Sequence, residues 1–296
     1  MVPISETVYT FDADAGGATR TSGGLLRAAA SPTEVSSYTD LLRRVATIAY
    51  YNRQFSLLFR GQSRDHALDA QGRAGVHSHL YPSIFRTVPA VSGAAAPMRQ
   101  VYERRFAILL EAERLLKATA SSGAISRDQV LRWALLQHYD VCPTPLLDVT
   151  SSLQVAVSFA LEKSASDGVL YVLGVPHLAS AVSVSLESGT VVVRLDQVCP
   201  PEVLRPHFQE GSLIGTYPAL ETEDFLQRPT GKLNLNMAGR LIEKFRLVGS
   251  DWGQGEFRPT AADILRPDDI DPYFRVMSQV RSRIRPELDR LHASTS

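Results

Sequence analysis

Helical periodicities crowd the first half of this chain and strand-like runs dominate the second, a division that favours segregated α+β layers over regular βαβ winding. Leu41, Leu42, Val45, Ile48 and Ala49 recur at helical spacing and predict an amphipathic helix ending near Asn52. Residues 98–119 predict a long helix with Phe106, Leu109, Leu110, Leu115 and Leu116 turned inward. Ser126 is the expected N-cap of a third helix through Val130, Leu131, Ala134 and Leu135, stopped by Pro143 and Pro145. A hydroxyl-rich stretch, Thr150-Ser151-Ser152, then caps a helix through Val155, Ala156, Phe159 and Ala160. Strands are predicted at 55–59, 168–175, 190–195 and 212–217, the first ending in a turn at Arg60-Gly61-Gln62. A basic helix over 271–291, with Arg281, Arg283, Arg285 and Arg290, closes the chain. Phe106, Trp133 and Phe159 read as core, and residues 65–76 and 89–97 as connections.

Composition removes whole classes of function. The 31 basic and 31 acidic residues cancel, so no global field draws the chain to nucleic acid or an anionic membrane. Cys142 and Cys199 read as two small buried thiols; no Cys/His cluster has zinc-ligand spacing, and no metal is expected. There is no apolar run of membrane-spanning length and no secretory start, so a cytoplasmic location is the expectation. Nor is there a Gly-rich phosphate loop of Walker or Rossmann type. Residues 12–32 carry few large apolar side chains, so 1–32 is expected to be a mobile tail. The main domain is expected over 33–220, with 221–296 as an extension packed on it.

Three ordered blocks carry a family resemblance. They are Leu58-Phe59-Arg60-Gly61-Gln62; then Gln137-His138-Tyr139 followed by Leu146-Leu147-Asp148-Val149-Thr150; then Arg205 with Gln209 and Gly211. A further segment, Pro82-Ser83-Ile84-Phe85-Arg86, lies between the first two. In these the chain resembles the family named after Phe-Arg-Gly, the FRG domain. At a greater distance that family resembles the ADP-ribosyltransferase fold, which implies a split β-sheet core with NAD as substrate. The acceptor would be a nucleic-acid base or a protein side chain, in a toxin or phage-defence setting with an antitoxin or reversing hydrolase as partner.

On that resemblance Arg60, Gly61, Gln62, His138, Tyr139, Thr150, Ser151 and Ser152 are the expected NAD-binding residues, and Arg60, Gln209 and Glu210 the catalytic ones. Read bottom-up, Arg60 is either a bidentate grip on phosphate or ribose or an ion pair with Asp148. The Thr150–Ser152 hydroxyls are an N-cap, an anion site, or both. Asp148 either orients His138 or Arg60 or starts a helix. Only one of Gln209 and Glu210 faces the pocket if their segment is extended, and Gln209 there supplies no charge. Glu243 is a fallback carboxylate whose simpler reading is a solvated helix face. The rival functions are a nucleotide or ADP-ribose binding module without catalysis, and a protein-interaction domain.

Overall fold

The computed structural model describes residues 1–11, 18–68, 77–86, 98–119, 123–163, 167–217, 235–249, 252 and 257–293. Its strands are β1 (Thr7–Phe11), β2 (Ala18–Ser22), β3 (Thr33–Val35), β4 (Ser56–Gln62), β5 (Ala67–Leu68), β6 (His77–Ser78), β7 (Leu146–Thr150), β8 (Gly168–Val175), β9 (Val182–Ser185), β10 (Thr190–Arg194), β11 (Gly211–Thr216) and β12 (Leu241–Leu247). Eight of them form one sheet in the order β3-β12-β8-β4-β7-β11-β10-β9, antiparallel at every junction but β3–β12. Each half of this sheet is well laddered: β4 runs beside β8 over seven register pairs and β11 beside β7 over five. Between the halves, β4 and β7 meet at one pair, Phe59 with Thr150.

Period-two alternation places the core. Val191 and Val193 enter one apolar cluster while Val192 enters another, and Leu146 and Leu147 divide in the same way. Because Phe59 and Thr150 are register partners, their side chains share a face. On that face helices Tyr38–Tyr51 and Leu153–Leu161 pack over the first half of the sheet, contributing Leu41, Val45, Ile48, Ala156 and Ala160. Helices Met98–Thr119, Gln129–His138 and Pro272–Ala293 cover the second half through residues such as Phe106, Leu135 and Val280. Mixed α+β architecture is therefore what the chain adopts, but helices and strands are interspersed: seven of the described strands precede residue 151, and the long helix Pro272–Ala293 lies in the second half. Leu42 and Leu110, expected inward, are half exposed at the margins of their helices.

Glycines allow helix Leu153–Leu161 to lie directly on the sheet. A Cβ on Gly61 would stand 1.7 Å from the Ala156 carbonyl oxygen, and one on Gly168 would stand 2.5 Å from that of Ala160. Gly61 thus belongs to a strand: β4 continues past Phe59 to Gln62, with Arg60 opposite Tyr171 and Gly61 opposite Leu170, so no turn occurs at Arg60-Gly61-Gln62.

Other expectations change as well. Residues 7–11 and 18–22 pair as a hairpin, followed by helix Leu25–Ala29 and β3, so the described part of the supposed tail is built into the fold. Burial of Met1, Ile4 and Val8 explains how so polar a segment is fixed. Glu243 sits on β12, fully buried, and not on a helix face. Its carboxylate takes hydrogen bonds from Thr10 Oγ1, Phe11 N (2.8 Å) and Arg27 Nη2 (2.8 Å), tying the hairpin down. The N-cap before Gln129–His138 is Asp128, whose Oδ1 accepts from Leu131 N at 2.7 Å; Ser126 belongs to the preceding short helix Gly123–Arg127. The predicted connection at 89–97 and most of 65–76 lie outside the described residues. Among the described residues no helix is long and apolar enough to cross a membrane.

Candidate functional site

A cleft opens where the two halves of the sheet part. Beyond the Phe59–Thr150 pair, residues 60–62 of β4 and 147–149 of β7 no longer exchange ladder hydrogen bonds, and the gap becomes a cavity of about 280 Å³. Arg60, Gly61 and Gln62 line one bank; Asp148, Val149 and Thr150 line the other. His138, Arg205 and Gln209 close it from one side, Phe159, Glu162, Lys163 and Arg266 from another. Blocks far apart in sequence therefore meet in a single hollow.

Arg60 spans the gap. Its Nη1 donates to the main-chain carbonyl of Asp148 at 2.5 Å, replacing a rung that the diverging strands no longer supply. Its Nε is buried with no hydrogen-bond partner. Burial lowers the guanidinium pKa from its ordinary value, and the nearby Asp148 carboxylate partly offsets this. A desolvated cation with one donor unspent is the group best prepared to receive a ligand oxygen.

The Asp148 carboxylate turns toward other partners, accepting from Gln137 Nε2 at 2.8 Å and sharing a 3.3 Å contact with His138 Nδ1. Burial alone would push this carboxyl up. The His138 hydrogen bond, the Arg60 charge and the Gln137 amide outweigh that and hold it below the usual range. His138 is buried, its ring close against Gly211, where a Cβ would stand 2.7 Å from Cε1; its Nε2 has no partner. Gln137 is itself fixed through Oε1, which accepts from Ser83 and Thr144 hydroxyls at 2.7 and 2.9 Å. The Pro-Ser segment thus reaches the cleft indirectly, by holding the amide that holds Asp148.

The hydroxyl stretch divides its work. Thr150 Oγ1 lines the cleft, donates to the Gln209 carbonyl at 2.8 Å and accepts from Ser152 N at 3.0 Å. Ser152 is the N-cap of Leu153–Leu161, and Ser151 is exposed, 3.5 Å from Glu210 Oε2; neither lines the cavity. Tyr139 is also outside it, buried with its hydroxyl donated to Asp271 at 2.5 Å and Arg205 over its ring.

Gln209 and Glu210 are not on a strand. Gln209 caps helix Leu204–Phe208, and Glu210 takes a left-handed conformation (φ 44°) that turns its side chain to solvent. Gln209 is the one that reaches the cleft, and its Nε2 is bound to the Leu265 carbonyl at 2.7 Å. The carboxylates at the cleft are therefore Asp140, Asp148 and Glu162. Glu162, Lys163 and Arg266 carry no motif-like signal in the sequence; Arg266 arrives from a segment whose position only the fold reveals. Phe159, expected in the core, forms part of the wall under Arg266.

The two cysteines are buried and do not line the cavity, each thiol pushed up to about 12 by burial. Among the described residues no group of three or more His, Cys, Asp or Glu is placed to hold a metal ion.

No curated protein and no solved structure matches the chain. A family model does: the match runs over residues 56–168, taking in Arg60, His138, Asp148 and Thr150 and stopping before Arg205, Gln209 and Arg266. The matching model is that of the FRG domain.

Proposed function

We propose that the cleft binds NAD as substrate and transfers its ADP-ribose to a macromolecular acceptor, a nucleic-acid base or a protein side chain. The observation that carries this reading is the convergence of Arg60, His138, Thr150 and Gln209 on one hollow between parting strands. A parted sheet with a guanidinium on one bank and a hydroxyl before a helix on the other is the arrangement that resemblance to the ADP-ribosyltransferase fold implies.

In this reading the bond that breaks joins the ribose anomeric carbon to nicotinamide, which leaves as a neutral base. Positive charge then develops on the ribose and needs a fixed anion beside it. Asp148 is the cleft carboxylate suited to that task, since it is kept ionised and held in place by Gln137 and His138. The acceptor forms the new bond to the anomeric carbon and releases its proton to solvent, the broken bond's electron pair leaving with nicotinamide. Arg60 anchors the substrate through its free donor. Gln209, engaged with Leu265, positions the wall.

A second reading, binding of an ADP-ribose-like ligand without transfer, is favoured by one fact: the 209–210 segment presents an amide to the cleft and its carboxylate to solvent. One assay separates the two. Labelled NAD is incubated with the protein and a mixture of DNA, RNA and protein acceptors; the expected result is label transfer, abolished by Arg60→Ala and reduced at least about a hundredfold by Asp148→Asn. Thermal stabilisation by ADP-ribose without transfer establishes the second reading, and absence of both effects removes both.

A further inference from the structure

Gln209, expected at the site, and Arg205 of the same sequence block both turn polar groups to one strip of chain, residues 265–271, while Arg205 Nη1 donates to the His138 carbonyl at 2.8 Å. Gln209 Nε2 donates to Leu265 O at 2.7 Å, and Arg205 Nη2 reaches Asp268 Oδ1 at 3.0 Å. Arg205 N and Tyr139 Oη donate to Asp271 Oδ2 at 3.1 and 2.5 Å. Four polar contacts thus strap this strip to Arg205, Gln209 and Tyr139, and the side chain that the strap delivers to the cavity is Arg266.

Arg266 is held as a cation is held when it is meant to be exchangeable. Its guanidinium lies over the Phe159 ring at 5.2 Å and makes a two-point contact with the Glu162 carboxylate, both side chains remaining about a third exposed (34% and 30%). A planar, two-oxygen partner is the geometry a phosphate reproduces. Glu162 is moreover a poor permanent partner. It stands at the C-terminal end of Leu153–Leu161, where the helix dipole disfavours a negative charge. Lys163, the next residue, also lines the cavity, so two cations flank the mouth while Arg60 waits within.

We infer that Arg266 is the diphosphate-binding residue of the cleft, and that Glu162 occupies its guanidinium until a diphosphate group displaces it. This deepens the NAD reading of the same site by assigning the substrate's pyrophosphate to a residue outside the FRG match.

Calorimetric titration of the full chain at low ionic strength tests it, with inorganic pyrophosphate, ADP-ribose and adenosine as probes. Arg266→Ala is expected to weaken pyrophosphate and ADP-ribose by about tenfold or more, the scale of a charge-assisted hydrogen bond, and to leave adenosine unchanged. Glu162→Gln is expected to act in the opposite sense, tightening both phosphate probes by about threefold or more because the competing carboxylate is gone. Arg266→Lys, which keeps the charge and loses the fork, is expected to fall between. Pyrophosphate that fails to bind the wild type, or binding indifferent to Arg266 and Glu162, overturns the assignment; should Arg266→Ala not fold, the other two variants decide. Phosphate binding that follows this pattern in a protein that neither binds nor consumes NAD would sink the proposed function and leave this inference standing.

Discussion

Gly61 shows how one residue of a motif can matter without touching a ligand. The carbonyl of Ala156 occupies the place where its side chain would be, and backbone cannot step aside as a flexible side chain would. Gly61→Ala is therefore expected to cost about 3 kcal/mol or more, the upper end of overpacking penalties, read as a lower urea midpoint. Gly123→Ala, whose nearest neighbour is the mobile tip of Arg127 at 3.4 Å, serves as the near-neutral control. Asp148 supplies a pH signature. Its folded pKa lies below the ordinary carboxylate value, so its contribution is fully present above the unfolded value of about 3.9 and is lost as pH falls below that through the folded value. The stability difference between wild type and Asp148→Asn is expected to hold level from pH 7 to about pH 4.5 and to shrink below it, as denaturation series across that range would reveal. Arg60, His138 and Thr150 were legible as cleft residues because each sits in a recognisable block. Tyr139 was not, because a tyrosine beside a cleft histidine and one buried over an arginine read alike in sequence until the helix phase is known.

Among the elements, the N-terminal hairpin departs furthest from expectation. Its sequence is poor in large apolar groups, and composition alone predicts mobility; what fixes it, beside the burial of Met1, Ile4 and Val8, is a buried carboxylate more than two hundred residues away, at Glu243. Long-range polar pairing of this kind leaves no local pattern to read. Glu243→Ala would strand Arg27, whose side chain is only 11% exposed, together with the amide of Phe11. A loss of about 3 kcal/mol is expected, with faster hydrogen exchange concentrated in β1; unaltered exchange there would show that apolar burial suffices. By contrast, helix Met98–Thr119, strand β8 and the end of helix Tyr38–Tyr51 were readable to within a residue or two, since each carries its periodicity within its own length.

On the scale of the whole molecule, the FRG match and the structural unit do not coincide. Residues 56–168 contain β4 and β7, which share a single pair, while the strands that ladder each of them, most of β8 beside β4 and all of β11 beside β7, lie beyond. Helix Pro272–Ala293 also completes the core against Met98–Thr119 through Met277, Val280 and Ile284. A fragment of residues 56–168 is thus expected to lack a cooperative thermal transition and dispersed amide resonances, both of which the full chain should show. A sharp transition in the fragment would refute this account. The parting of β4 from β7 has one more consequence. It creates a strand rim in the middle of a sheet, where main-chain groups border the cavity. Under the proposed function, binding there would draw on backbone groups that substitution does not remove, so exchanging side chains along the banks is expected to retune selectivity while a floor of attraction for hydrogen-bonding guests persists.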